Sequence, residues 1–309
     1  MGPLLRALKA ACTRHMLAEL PVDPTATMRE LDFRSLHSVY AGWRGRVPLA
    51  RPRRVHIAPE LLANPDRLTY GDGLGAILRE IARGNDLRPR MSTLVEQAYT
   101  PWEPQLLLRR PGRQPHVDRL LADWGLHHLH LGTTGHRRRP EFVRRTPHVL
   151  FVAFKAADAY LVDVAEHESD GANWSALKLL EIIVRNWPDA GILVGSNIAI
   201  GLKDGNWPDE DRRRLRQAGV STGAVEIDGR VWSAGGQTLG GVSMHVARHC
   251  MGVSWTLAGY DPMEEHVKQT LRTMAEKHRV PDEWQAITNG EEFGFYSSGV
   301  FVRYGALVP

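Results

Sequence analysis

The chain has 309 residues, 43% of them hydrophobic, and a net charge of +4, enough for two domains or one large one with an ordinary apolar content. No run of about 18 apolar residues occurs, which argues against a membrane-spanning helix. Two cysteines, Cys12 and Cys250, are too few for a disulfide framework. The segment from Met1 to Cys12 is too short and too charged for a signal peptide, so a cytoplasmic protein is expected.

In chain order, residues 1–30 read as a helix followed by a connection punctuated by Pro21 and Pro24. Residues 31–70 are mixed. Arg44, Arg46, Arg51, Arg53 and Arg54 form a basic run that reads as a solvated loop. Trp43 beside it is kept as a candidate stacking contact for single-stranded nucleic acid. A helix is expected over 72–83, stopped by Gly84. A linker with Pro101, Pro104, Pro111 and Pro115 then marks a domain boundary. Val117, Leu120, Leu121 and Trp124 repeat at helical spacing and Gly125 ends that helix. Leu126 to Leu131 alternates as a strand, with His128 and His130 on one face and His127 on the other. His148 to Lys155 and Ala159 to Glu166 read as two strands joined by a short turn. Trp174, Leu177, Leu180, Ile183, Val184 and Trp187 form one face of a helix that ends before Pro188.

The remainder is α+β in character. Ile192 to Ile200 reads as a buried strand, and Asn206 to Glu210 as the cap of a short arginine-rich helix ending at Gly219. Ala224 to Ser233 reads as a hairpin around Asp228-Gly229. The stretch Gly235 to Gly241 lacks the residues of a phosphate-binding loop and reads as a turn. A helix opens at Asp261-Pro262, and Phe293 to Tyr304 reads as a terminal strand. His245 and His249, four apart, would share a helix face as surface or core residues. The expected class is α+β, in three stretches: a helical and irregular 1–104, a central 105–190 with a helix and an antiparallel meander, and an α+β 191–309.

Charge and imidazole are concentrated locally. Six of the fourteen histidines lie between Gln105 and His148, with nine arginines against Asp118, Asp123 and Glu141. That stretch nets +6 and everything else −2. Such a patch suits phosphate handling or proton transfer. A metal-independent ribonuclease needs a base for the ribose 2′-hydroxyl, an acid for the leaving 5′-oxygen, and cations for the transition-state charge. His128, His130 and His167 are the acid–base candidates. Arg144 and Arg145 are the phosphate candidates, by forked hydrogen bonds. Arg137, Arg138 and Arg139 would steer the substrate.

The run Gly125-Leu126-His127-His128-Leu129-His130-Leu131-Gly132, then Pro147 to Val152, then Ala159 to His167, resembles the RelE/ParE-type toxins within the barnase-, EndoU- and RelE-like nucleases. The resemblance covers about residues 115–170. In that family a helix leads into a first strand carrying arginine, then a loop and a tight hairpin ending in His or Arg. Here His130 stands where the arginine would be, the chain is far longer, and a long helix follows the third strand. The resemblance implies endoribonuclease activity of a toxin-like effector, with RNA before DNA as substrate, no cofactor, no membrane, and an antitoxin or regulatory protein as partner. Three alternatives stand beside it. The histidines could be partly buried strand residues next to a solvated arginine loop. The chain could be a non-catalytic nucleic-acid- or protein-binding module of a phage or mobile element. Or His128 and His130, with His167 or Asp163, could hold zinc or another first-row metal in a hydrolase.

Overall fold

The computed structural model describes residues 2–20, 29–92, 95, 118–167, 175–196, 206–218, 220–221, 223–236, 243–258 and 261–308. It is α+β, as expected. The chain divides into two compact units, 1–45 with 245–309, and 46–244. The sequence boundaries near 104 and 190 both fall within the span of the second unit. The proline-rich segment 101–117, Trp174 and Gly219 lie outside the described residues.

In the first unit, α1 (Pro3–Glu19) buries Leu5, Leu8, Cys12 and Met16, spaced three and four apart on one face. Its N-terminus is capped from a distance. The Glu264 carboxylate, on the helix Asp261–His278, accepts from the Leu4 and Leu5 amides at 2.9 and 3.2 Å, satisfying donors that a helix start leaves open. The helix α2 (Phe33–Arg44) starts at Asp32, whose side chain accepts from the Ser35 amide at 2.7 Å. Trp43 lies in α2 at 6% exposure. It is a core residue, not a stacking platform, because helical periodicity turns it inward with Val39 and Tyr40. The apolar segment before Leu257 is a helix, Met244–Ala258. The expected terminal strand is a hairpin, Glu292–Ser297 and Val300–Ala306, turning at Ser298 and Gly299 with φ of 44° and 90°. Two consecutive positive φ values are what a tight hairpin turn requires.

The second unit is built on a four-stranded sheet of β1 (Arg54–Ile57), β2 (Leu126–His130), β3 (His148–Phe154) and β4 (Asp158–Glu166). Its order is β1-β4-β3-β2, with β1 parallel to β4 and the other pairs antiparallel. The meander and the short β3–β4 connection follow the alternation in the sequence. The strand β1 begins at Arg54, the last arginine of the run that reads as a solvated loop, and Arg53 just before it departs from that reading. Arg53 is buried, donating to the carbonyls of Leu49, Arg51 and Lys155. Arg54 pairs with Asp158 of β4 at 2.9 Å.

The helix α3 (Gly71–Arg83) packs on β1, and α4 (Arg119–Trp124) leads into β2. Gly84 and Gly125 end these helices with φ of 76° and 69°, a left-handed region that costs glycine little. The helix α5 (Leu177–Asn186) packs on β4, and all five residues of β2 are buried. A smaller sheet, β5-β7-β6 (Val194–Ser196, Arg230–Ser233, Ala224–Ile227), completes the unit. The Asp228-Gly229 turn has φ of 51° and 73°, as the dipeptide predicts. The arginine-rich helix is Asp209–Gln217. Asn206 does not cap it but exchanges hydrogen bonds with the Glu226 backbone.

A candidate acid–base cleft

The meander brings the three sequence-predicted histidines together. His128 and His130 alternate onto one face of β2, opposite Phe151 and Val149 of β3. Between β3 and β4 the register shifts, pairing Phe151 with Asp163 but Val152 with Leu161. This bulge puts Asp163, Ala165 and His167 on the face that carries His128 and His130. The His167 amide donates to the Pro147 carbonyl at 2.5 Å, holding the residue just past the strand end. Ring centroids are 6.3 Å apart for His128 and His130, 5.8 Å for His128 and His167, and 5.4 Å for the stacked His130 and His167.

The three rings differ in environment. His130 is 1% exposed, and neither ring nitrogen has a hydrogen-bond partner among the described residues. Burial, then the charges of His128, His167 and Arg145, push it down to about 3, so it is neutral near neutral pH. His167 is half-buried and is also lowered, chiefly by burial. His128 faces a carboxylate, its Nδ1 lying 3.3 Å from Oδ2 of Asp118. Asp118 is the N-cap of α4, and its Oδ1 accepts from the Leu121 amide at 3.0 Å. Burial acts to raise Asp118, but the adjacent His128 and the Leu121 hydrogen bond outweigh it and hold the carboxyl at about 2. A carboxylate against one imidazole nitrogen orients the ring.

A cleft opens beside His128, lined by Arg46, Met91, Ser92, Val95, Asp118, Leu121 and His128. Arg145 reaches its rim, donating to Ser92 Oγ at 3.2 Å. Arg144 is exposed, and no contact joins its side chain to the imidazoles. The loop carrying the basic tip is held firmly. Gly135 bridges Val143, Phe142 is buried, and the Val143 amide donates to the Pro89 carbonyl at 2.8 Å. Arg90 donates to the Gly132 carbonyl and pairs with Glu80. A Cβ at Gly132 would lie 2.1 Å from the Arg144 carbonyl oxygen, so only glycine permits that approach. At the tip Arg139 is committed to Glu141 and to the Phe142 ring. Arg137 and Arg138 are exposed, with no side-chain partner among the described residues.

Among the described residues no group of three His, Cys, Asp or Glu side chains is arranged to hold a metal ion. Asp163, the carboxylate of the metal reading, is engaged by Asn64 and Lys178, each at 2.7 Å. His127 lies on the opposite face against Phe154, and His148 pairs with Asp66. His245 and His249 belong to the helix Met244–Ala258; His249 packs edge-on to buried His37. Sequence reading missed Arg46, Ser92 and Asp118 as site residues. Asp118 carried a legible signal, a capping residue at a helix start. The other two carried none, because only packing brings them beside β2. The chain matches no protein-family model, no curated protein and no solved structure, so its functional assignment rests on this geometry.

Proposed function

We propose that the unit 46–244 cleaves RNA phosphodiester bonds by histidine acid–base chemistry without a metal ion. The convergence of three imidazoles, one with a carboxylate counter-ion, carries this reading. It agrees with the resemblance to RelE/ParE-type toxins over about residues 115–170.

The environments distribute the roles. His167 is accessible and kept neutral by its lowered proton affinity, so it is the base that takes the proton of the ribose 2′-hydroxyl. The 2′-oxygen attacks phosphorus and the bond to the 5′-oxygen breaks. His128, held against Asp118, donates a proton to that departing oxygen. The products are a 2′,3′-cyclic phosphate and a 5′-hydroxyl, and proton exchange with water resets both histidines. Arg145 at the rim offsets the charge gathering on the phosphoryl oxygens. His130 is too buried to touch substrate and is a positioning residue between the other two rings. The internal nucleophile is the reason RNA, and not DNA, is the substrate class.

The test incubates the purified chain with labelled single-stranded RNA in EDTA, beside His167→Ala and His128→Ala. Cleavage that survives the chelator and falls by about 10²- to 10⁴-fold in each variant is expected. Equal cleavage by the variants, or loss of activity in EDTA alone, overturns the assignment. Arg137, Arg138 and Arg144, exposed and with no side-chain partner among the described residues, favour a second reading, non-catalytic nucleic-acid binding. Salt-sensitive RNA binding with no cleavage in any lane is its signature.

A further inference from the structure

His148 stands between a carboxylate and a phenol, an arrangement that the proposed cleavage chemistry does not use. Val149 pairs with His130, so alternation along β3 turns His148 to the opposite face of the sheet. There the short helix Asp66–Thr69 starts at Asp66 and is followed directly by Tyr70, four residues on. Oδ2 of Asp66 lies 3.3 Å from Nε2 of His148, and the Tyr70 hydroxyl lies 3.1 Å from Nδ1. The two imidazole nitrogens therefore meet different partners. A carboxylate only accepts, so Nε2 carries the proton of the neutral ring and Nδ1 keeps a lone pair. The phenol donates to that lone pair. A hydroxyl on a base, with the base oriented by a carboxylate, is the arrangement that activates a side-chain nucleophile. All three residues are partly exposed, so a reagent can reach them. Tyr40 supplies the contrast. Its hydroxyl also meets an imidazole, His15 at 3.4 Å, but Tyr40 is buried and donates to the Gly290 carbonyl.

We infer that Tyr70, His148 and Asp66 form a second reactive centre, in which Tyr70 is a nucleophile toward phosphoryl esters with a good leaving group. Tyr70 Oη attacks phosphorus. The bond from phosphorus to the leaving group breaks, the leaving group keeps the electron pair, and the phenolic proton passes to Nδ1 of His148. The product is a tyrosyl phosphoryl ester beside an imidazolium that faces Asp66. Asp66 is a positioning residue that acts through His148. Arg67 favours phosphorus over other electrophiles. It lies three residues before Tyr70 on the same turn and has no side-chain partner among the described residues. A guanidinium there offsets charge on phosphoryl oxygens.

Labelling of the purified chain with a fluorophosphonate, read tyrosine by tyrosine in peptide mass spectrometry, tests the centre. The phosphorus–fluorine bond breaks and fluoride leaves. The chain has seven tyrosines, so every other one serves as an internal reference. Tyr70 should be labelled about 10²-fold faster than any of them, the low end of what a positioned base contributes. His148→Gly should cancel that advantage, and added imidazole should restore part of it, which a purely structural histidine would not allow. Asp66→Asn should slow labelling by about tenfold or more, with Asp66→Glu recovering part of the rate. With bis(4-nitrophenyl) phosphate, an anion that loses 4-nitrophenolate, Arg67→Gln should slow labelling by about tenfold, the worth of a charge-assisted hydrogen bond. The same variant should leave the neutral fluorophosphonate unaffected. The comparison among tyrosines is made within the wild type and stands whether or not a variant folds. Tyr70 labelled no faster than the other tyrosines, or labelled equally fast in folded His148→Gly, overturns the centre. An unchanged rate for Arg67→Gln with the anionic probe overturns the preference for phosphoryl esters.

Discussion

His130→Leu separates burial from hydrogen bonding at the centre of the cluster. In the folded protein His130 is held at about 3, while a solvated histidine titrates near 6.5. Between those values the unfolded chain binds a proton that the folded chain does not. Stability therefore falls as pH drops below about 6.5, and the loss is complete only below about 3. A full proton difference is worth about 1.4 kcal/mol per pH unit. From pH 6.5 to 4 the wild type should lose about 3 kcal/mol through this residue alone. His130→Leu has no such proton, and its volume is similar. At pH 7 it should be at least as stable as wild type, because it removes a polar ring whose nitrogens find no partner among the described residues. The assay is urea unfolding at each pH, read by hydrogen exchange in peptides from β2, β3 and β4 so that only this unit is reported. Coincident pH slopes for the two proteins would refute the reasoning. So would a loss of about 2 kcal/mol or more in the variant at pH 7, which would mean that the imidazole makes hydrogen bonds worth keeping.

Asp118→Asn keeps a side chain that can cap α4 but removes the counter-ion of His128. RNA cleavage should fall by about 10²- to 10⁴-fold, with the melting temperature changed by only a few degrees, as activity assays and calorimetry would show. Arg137→Gln with Arg138→Gln should lower RNA affinity. It should also make the dependence of log K on log salt shallower by about 1.4, the value for two phosphate contacts on a single strand, measured by fluorescence anisotropy across a salt series. Gly132→Ala places a Cβ where the Arg144 carbonyl oxygen sits, 2.1 Å away. Thermal melts should show a loss of about 1–3 kcal/mol from the forced displacement of the basic loop. Arg90→Met strips Glu80 of its partner and the Gly132 carbonyl of its donor. It should cost about 3 kcal/mol or more by chemical unfolding.

The sequence by itself determined the parts of this protein that depend on periodicity and backbone preference. The helix before Gly84, the helix-to-strand turn at Gly125, the meander from Leu126 to Glu166 and the Asp228-Gly229 hairpin are all local. Residue spacing chooses the conformation, helped by a tolerated positive φ at Gly84, Gly125 and Asp228-Gly229. Alternation along β2 was enough to place His128 and His130 on one face. Tertiary structure decided the rest, because burial and convergence depend on segments distant in the chain. Arg53 read as part of a solvated arginine-rich loop, yet the carbonyls of Leu49, Arg51 and Lys155 hold its guanidinium in a buried position just before β1. The β-bulge, invisible in the alternation, carried His167 to the face of His128 and His130. Packing buried His130 and set the Asp118–His128 pair beside the cleft. These non-local contacts keep His130 neutral near neutral pH, because desolvation and neighbouring charge control proton affinity more strongly than residue type does.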